Sequence, residues 1–470
     1  MNTQEPLNTL FQNLETEPHS LQPLVQTLVE KSLEGIVIFN RNLSLSIHQA
    51  IQQIDDLLSA QLSEIMHHSN FTQLEGRWRG LHHLSKEAET GVNLKIKMLS
   101  LTKQELHHNL EHSHEFDQSA LYKKIYEEEF GSPGGQPYAA LVGDYEFSHE
   151  EKDLRLLDYF AKVASASFCS FISAASPKLL GLERWSQLNN SRNLSQLTHS
   201  IEHIAWRKFR ERDDARFIYL CLPRALARLP YTEASPSIES FHLKEQNLEH
   251  NYCWMNAAYL LATQMCKAFS KQGWCISIRG TEGGGRVENL ALHSFKDVSG
   301  KSHYQCPTEV AISDRSEAEL STLGLLPLCH YKNTDYAVFF GADSLQKPMQ
   351  FDTASATENA RISARLPYIM ATSRFAHYLK IMARDKMGCF LNAQDAQDWL
   401  NNWILNYVNG NEQSKHELKA KYPLAEARIQ VNELPGKAGC YQATAWLRPW
   451  LQMEELSMSM RLVARIPKLN

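Results

Sequence analysis

The sequence predicts an α/β (α+β) fold, with mixed sheets flanked by helices and a C-terminal region of helices followed by strands. Apolar residues recur at three- and four-residue spacing in segments such as 71–81, which is the pattern of a helix. They alternate with other residues in segments such as 94–98 and 457–466, which is the pattern of a strand. With 470 residues, 43% of them hydrophobic, the chain is long enough for two or more cores.

The first element is an N-terminal helical arm, residues 1–65. It is rich in Gln, Asn and Leu, and early prolines interrupt it before a regular helical pattern runs from Ile51 to Ile65. Within residues 21–31, just after Pro23, four apolar side chains recur at helical spacing and predict a short apolar face. These four residues are Leu24, Val25, Leu28 and Val29.

An α/β body follows, and we predict a first domain at 66–355. Its opening helix carries Phe71, Leu74, Trp78 and Leu81 on one face. Helical patterns then separate short apolar runs, as expected where strands and helices alternate. The predicted helices are 153–165 and 254–269, and the predicted strands are 94–98, 139–143, 217–222, 274–279 and 336–341.

A second domain is predicted at 356–470. Its helices end at Gly410, and the terminal run then places Met458, Met460, Leu462 and Ile466 on one side of a strand. Two interpretations are open. The strand closes its own domain's sheet, which the periodicity alone favours, or it pairs with a neighbouring subunit through its free backbone edge.

The overall charge and the apolar runs exclude several classes of function. Against 48 Lys and Arg stand 53 Asp and Glu, a net charge of -5, so we expect no nucleic-acid partner. The sequence holds no apolar run of about 18 residues and no secretory signal, so we expect a cytoplasmic protein without direct membrane insertion. Nine scattered cysteines without a Cys-x-x-Cys pair favour reduced thiols.

No motif in the chain supports catalysis, a cofactor or a metal. The glycine turn at 280–285 lacks the third glycine of a dinucleotide fingerprint, because Glu288 stands at that position. The histidines at 107, 108, 112 and 114 lack the spacing of a zinc protease and favour a solvated helix face. We therefore predict that the protein is not an enzyme. The alternative is a soluble α/β enzyme with a ligand site near Gly283–Gly285.

Several long blocks resemble the large subunit of the contractile sheath of type VI secretion systems, the TssC/VipB family. They occur in the family's order and extend from about residue 65 to the end of the chain, which makes them more specific than one short motif. The blocks are Phe71–Leu81 (FTQLEGRWRGL), Asp117–Gly135, Asp214–Tyr231, Gly280–Leu290, Cys306–Pro348 and Asp398–Gly410.

The resemblance implies a contractile-tail-sheath-like structural subunit rather than a catalyst. It implies pairing with a small TssB/VipA-like sheath subunit and polymerisation with further copies into a helical lattice. It also implies an Hcp-like inner tube, a baseplate and a ClpV-like AAA+ ATPase that disassembles the contracted sheath. Under this resemblance the terminal strand carrying Met458 to Ile466 is shared between protomers. The apolar face from Leu24 to Val29 becomes the candidate ATPase-binding segment.

Overall fold

A computed structural model describes most of the chain. The described residues are 43–113, 115–190, 194, 198–232, 235, 241–245, 252–296, 302–386, 393–411, 413–414, 416–433, 441–450 and 460–465. They belong to two compact units. The first comprises the described parts of Met1–Glu75 and Arg228–Cys253, and the second those of Gly76–Ala227 and Trp254–Asn470. In these residues, no helix combines the length and apolar character needed to cross a bilayer.

Helices and strands alternate along the described part of the chain. The helices are α1 Leu43–His67, α2 Ser69–Glu87, α3 Lys103–His112, α4 Ala120–Tyr122 with a π-helical continuation Lys123–Gly131, α5 Glu151–Ser167, α6 Ile204–Arg210, α7 Ala257–Gln272, α8 Asp314–Thr322, α9 Ala354–Ser363, α10 Leu366–Asp385, α11 Ala393–Leu405 and α12 His416–Lys421. The strands are β1 Ala140–Phe147, β2 Ser170–Ala175, β3 Ile218–Leu222, β4 Ala225–Leu226, β5 Trp254–Met255, β6 Arg286–Val287, β7 Ser294–Lys296, β8 Ser302–Tyr304, β9 Leu325–His330, β10 Ala337–Phe339, β11 Leu424–Glu433, β12 Tyr441–Pro449 and β13 Met460–Arg465. This arrangement confirms the predicted mixed α/β class.

The largest sheet has six strands in the order β1-β2-β3-β9-β10-β6. Its first four strands are parallel, and β10 runs antiparallel to both of its neighbours. All residues of β2 and β3 are buried, as expected for parallel strands covered on both faces. Successive residues alternate between two cores: Phe171 stacks on Phe160 of α5 on one face, while Ile172 belongs to the α7 core on the other.

The helix predicted around Phe71 is α2, but it packs through a face of small residues. A side chain at Gly76 would lie 2.2 Å from the Trp254 carbonyl oxygen, and one at Gly80 would lie 2.4 Å from the Tyr259 ring. Because both positions need glycine for this approach, the helix buries that side. Leu74 and Trp78 remain 52% and 57% exposed. The apolar face that made this helix recognisable is therefore directed to solvent.

Two predicted strands do not form. Residues 94–98 make no strand pairing, and Met98 is 65% exposed, so their alternation has no buried side. Side chains hold this segment instead, because Lys95 bonds Gln136 and Lys97 pairs with Glu129. Residues 274–279 are also outside the sheets. Their apolar residues Trp274 and Ile276 fill the core beneath the C-terminal sheet.

The C-terminal sheet is a three-stranded antiparallel meander in the order β11-β12-β13. Helices α10 and α11 contribute the aromatic and aliphatic side chains that cover it. Trp274 stacks on Phe375 at a ring separation of 4.9 Å, and the Trp403 ring meets Phe375 edge-on. This core lies next to the turn that starts at Gly273, so the C-terminal sheet is built into the second unit.

A buried histidine on α10 predicts a pH-dependent stability. His377 is 8% exposed, its Nε2 lies 2.8 Å from the Ser167 carbonyl oxygen, and burial lowers the pKa of His377 to about 4. In the unfolded chain the same group titrates near its ordinary value of 6.5. The unfolded state therefore binds the proton first. As a result, the free energy of unfolding decreases as the pH falls from 6.5 towards 4.

We expect His377→Gln, which keeps a side-chain N–H donor for the Ser167 carbonyl oxygen, to remove this dependence. Between pH 7.5 and pH 5, the free energy of unfolding of the wild type should fall by about 2 kcal/mol more than that of the variant. Urea unfolding of both proteins at the two pH values measures it. Parallel pH dependence in the two proteins would show that His377 is not the responsible group.

Candidate assembly surfaces

The terminal strand β13 forms one edge of the C-terminal sheet. It pairs antiparallel with β12, with Leu462 opposite Ala445 and Met460 opposite Leu447. The structure thus places two of the four predicted interface residues in a strand that its own domain already pairs on one side. Met458 and Ile466 lie outside the described residues. The assignment of these four residues to a subunit interface stays a prediction.

The opposite edge of this sheet, strand β11, is occupied by side chains of α11. Asn401 accepts a hydrogen bond from the Ile429 backbone N–H at 2.8 Å and donates one to the Ile429 carbonyl oxygen at 2.8 Å. Gln397 accepts a bond from the Val431 N–H at 3.1 Å. The two amide side chains take the place of a neighbouring strand, so this edge is blocked for strand addition.

The register then shows which backbone groups β13 presents outwards. In an antiparallel strand the N–H and C=O of one residue point to the same side, and successive residues alternate. Since Ile429 and Val431 point away from β12, their partners Ala445 and Ala443 point towards β13. Leu462 therefore bonds β12, and the backbone groups of Val463 face the other way. Among the described strands, none pairs with that side of β13.

The glycine turn is the ligand site in the enzyme alternative. Backbone N–H groups of this turn are hydrogen-bonded within the fold. Gly280 donates a hydrogen bond to the Phe339 carbonyl oxygen at 2.8 Å, and Gly285 donates one to that of Gly280 at 2.9 Å. Gly284 has φ +96°, and a side chain there would lie 2.2 Å from the Ser277 carbonyl oxygen. The N–H groups of Gly280 and Gly285 that a phosphate would need already have partners in the turn and in β10.

The charged residues near Asp214 and Arg224 form internal ion pairs. Arg212 bridges Asp214 and Asp158, and Arg224 donates two hydrogen bonds of 2.9 Å to Glu309. Burial favours a lower pKa for the Arg224 guanidinium, but the hydrogen bonds and charge of Glu309 prevail and raise that pKa. Such pairs position elements and do not leave a group poised for proton transfer.

A denser charge cluster lies in the first unit. Arg228 donates to both carboxylate oxygens of Glu245, at 2.7 and 3.1 Å, and to both oxygens of Glu75, at 2.6 and 3.3 Å. His67 and the Tyr231 N–H also bond Glu245. Burial favours a raised pKa for Glu245, yet the bonds from Arg228 and Tyr231 hold that pKa below its ordinary value. The cluster ties α1, α2 and the segments around Arg228 and Glu245 together within this unit.

No group of three or more His, Cys, Asp or Glu side chains suited to a metal occurs in the part of the chain that the structure describes. The rings of His108 and His112 are neighbours on α3, with centroids 4.0 Å apart and planes tilted by 45°, and His112 Nδ1 bonds the His108 carbonyl oxygen. His114 and the predicted ATPase-binding residues Leu24, Val25, Leu28 and Val29 lie outside the described residues.

Sequence reasoning missed the residues that decide which sheet edge is open. Asn401 and Gln397 are polar and sit at a four-residue spacing on α11, which is a pattern shared with many solvated helix faces. Only the packing of α11 across β11 shows that their amides bond a strand. The distinction between the two edges therefore required the structure.

The comparisons with known proteins agree along almost the whole chain. A VipB family model, described as the EvpB tail sheath N-terminal domain, matches residues 48–346. A second, described as the tail sheath gpW/gp25-like domain, matches residues 355–466. The type VI secretion system sheath protein TssC1 of Pseudomonas aeruginosa is 45% identical over 454 residues, covering 95% of this chain and 91% of that protein. The chain therefore belongs to the TssC/VipB family of type VI secretion sheath proteins.

Proposed function

We propose that this chain is the large structural subunit of a type VI secretion contractile sheath. It pairs with the small sheath subunit, polymerises with further copies around an inner tube and contracts to propel that tube. The observation that carries the proposal is the match to both sheath domains, over residues 48–346 and 355–466. The glycine turn at Gly283–Gly285, whose structure is accounted for by its own backbone bonds, gives the enzyme alternative no support.

The mechanism needs contacts rather than catalysis. Contacts between unlike surfaces that do not close into a ring generate a helical tube, and many such contacts can switch together between two lattices. The outward side of β13 suits this role, because strand addition fixes both position and register by backbone hydrogen bonds. Met460 and Leu462 belong to this strand, and we assign them, together with Met458 and Ile466, to the shared lattice.

Co-expression with the small sheath subunit from the same gene cluster tests the proposal. We expect long hollow tubes in negative-stain micrographs of the purified complex. The full chain expressed without that subunit serves as the control and should form none. Small particles of uniform size from the co-expressed pair would contradict a sheath function.

Disassembly adds a prediction for the N-terminal arm. We propose that Leu24, Val25, Leu28 and Val29 bind the AAA+ ATPase through their apolar helical face. Leu24→Asp with Leu28→Asp should reduce capture by the ATPase by about tenfold or more, since two apolar anchors become charged. A pull-down with purified ATPase measures it, and tube formation by the same variant is the control. Equal capture by the variant and the wild type would remove this segment as the binding site.

The remaining assignments follow from the same proposal. A sheath that surrounds an inner tube and starts at a baseplate works in the cytoplasm, and its large subunit needs no cofactor. We also propose the division into an arm at 1–65, an N-terminal sheath domain at 66–355 and a C-terminal sheath domain at 356–470. The six-stranded sheet falls in the second of these segments and the three-stranded sheet in the third.

A further inference from the structure

Helix α1 presents a continuous stripe of large aliphatic side chains to solvent. The stripe residues recur at steps of four, three, four, four and three, so at about 100° per residue they occupy a sector of about 80°. The aliphatic stripe consists of Ile47, Ile51, Ile54, Leu58, Leu62 and Ile65, which are 36%, 50%, 56%, 43%, 37% and 58% exposed.

The same helix packs in its own unit through small and polar residues. Ser59 and Ser63 are 1% and 3% exposed, and Ala50 is 8% exposed. Ser59 Oγ accepts a hydrogen bond of 3.2 Å from the backbone N–H of Lys244. A helix on the surface of a globular protein ordinarily turns its apolar face inwards. Helix α1 does the opposite, and the described residues of its own unit leave the aliphatic stripe exposed.

The shape of the aliphatic stripe and the charges beside it indicate the kind of partner. A straight apolar ridge with an average spacing of 3.6 residues fits the side-chain grooves of another helix. At about 100° per residue, Asp55 lies about 20° beyond one edge of the stripe and Glu64 about 80° beyond the other, and α1 contains no Lys or Arg. The complementary helix would therefore carry its apolar face between basic residues.

The charges also disfavour two other occupants. A second copy of α1 would bring the same acidic edges together, which is repulsive. Residues 1–42 of the chain contain five Glu and only two Lys or Arg, so this segment too has the wrong sign. A different polypeptide with a basic amphipathic helix remains the occupant that matches both the spacing and the charge.

We propose that the aliphatic stripe of α1 is the docking site for a basic-flanked amphipathic helix of the small sheath subunit. This inference rests on the proposed function, because it names the surface by which the two subunits pair. With 25 residues, α1 is about 37 Å long and can receive a partner helix of several turns. The exposed stripe becomes buried when the heterodimer forms.

Substitution of two central residues tests the inference. Ile54→Gln with Leu58→Gln keeps helix propensity and changes side chains that are 56% and 43% exposed in the chain alone. We expect the full-length variant to capture at least about tenfold less of the tagged small subunit than the wild type. Ile201→Gln, at a residue that is 84% exposed outside α1, is the matched control and should bind as the wild type does. Circular dichroism verifies that both variants are folded.

A charge reversal examines the acidic edges separately. Asp55→Lys with Glu64→Lys should weaken capture severalfold at low salt, and the difference should shrink as ionic strength rises. Capture by the Gln variant within about twofold of the wild type would overturn the inference, while tubes from the wild-type pair would still support a sheath function. A wild-type chain that neither binds the small subunit nor forms tubes would overturn both.

The oligomeric state of the chain without the small subunit tests the alternative that a second copy of the chain occupies the stripe. Under the inference, sedimentation should show the same state for the wild type and the Gln variant. A wild-type dimer that the Gln variant abolishes would place a second copy on the aliphatic stripe and would refute the assignment to the small subunit.

Discussion

Val463→Pro is expected to abolish sheath tubes while leaving the subunit folded. The backbone groups of Val463 face away from β12, so proline removes a hydrogen-bond donor only from the outward side of β13. Proline is tolerated in an edge strand at a position whose N–H does not bond its own sheet. Each lattice contact that uses this edge would lose a hydrogen bond and leave a buried carbonyl unpaired, at a cost of about 1–3 kcal/mol.

The neighbouring position supplies the control for this prediction. Leu462 bonds β12, so Leu462→Pro should disrupt the C-terminal sheet itself and lower the free energy of unfolding. Val463→Pro should keep the wild-type unfolding curve and the wild-type capture of the small subunit. Co-expression followed by negative-stain microscopy measures tube formation. Abundant tubes from Val463→Pro would show that the lattice does not use the outward side of β13.

The second large effect is expected for Arg228→Met in the first unit. Removal of this guanidinium leaves Glu245, whose side chain is only 1% exposed, with its bonds to His67 and the Tyr231 N–H but without the arginine charge. Removing one partner of a buried ion pair costs about 3–5 kcal/mol, because the remaining buried charge loses most of its compensation. Since the cluster joins α1 and α2 to Arg228 and Glu245, the amide protons of α1 should exchange much faster in the variant.

Neutralising the partner carboxylates should restore most of the lost stability of this unit. In the combined variant with Glu75→Gln and Glu245→Gln, no charge remains buried, and the methionine fills part of the space left by the arginine stem. Hydrogen exchange of α1 in the three proteins measures the effect in this unit alone. Equal protection in the wild type and Arg228→Met would mean that the cluster contributes little to the fold.

Strong local periodicity predicted several elements correctly. The patterns at 139–143, 217–222 and 336–341 correspond to β1, β3 and β10, and the helical patterns at 153–165 and 254–269 correspond to α5 and α7. These segments are buried in the six-stranded sheet or packed on it, so their local pattern and their tertiary environment agree.

Periodicity did not show which side of an element would be covered. In α2 the aromatic residues suggested a buried face, but close contacts at Gly76 and Gly80 determine the packing. In segment 274–279 the apolar residues are buried, but as side chains in a core beneath a sheet rather than within a strand. In a subunit that assembles with others, an apolar pattern predicts burial less well, because part of the apolar surface contacts partners.

The buried serines and exposed isoleucines of α1 have a consequence for the abundance of the protein in the cell. A copy made without the small subunit keeps the aliphatic stripe exposed to water, and exposed apolar surfaces are bound by chaperones, proteases and unfolded chains. Surplus copies should therefore have short half-lives, and the level of this polypeptide should follow that of its companion even when its own messenger RNA is in excess. Balanced supply would then be enforced by turnover rather than by transcription.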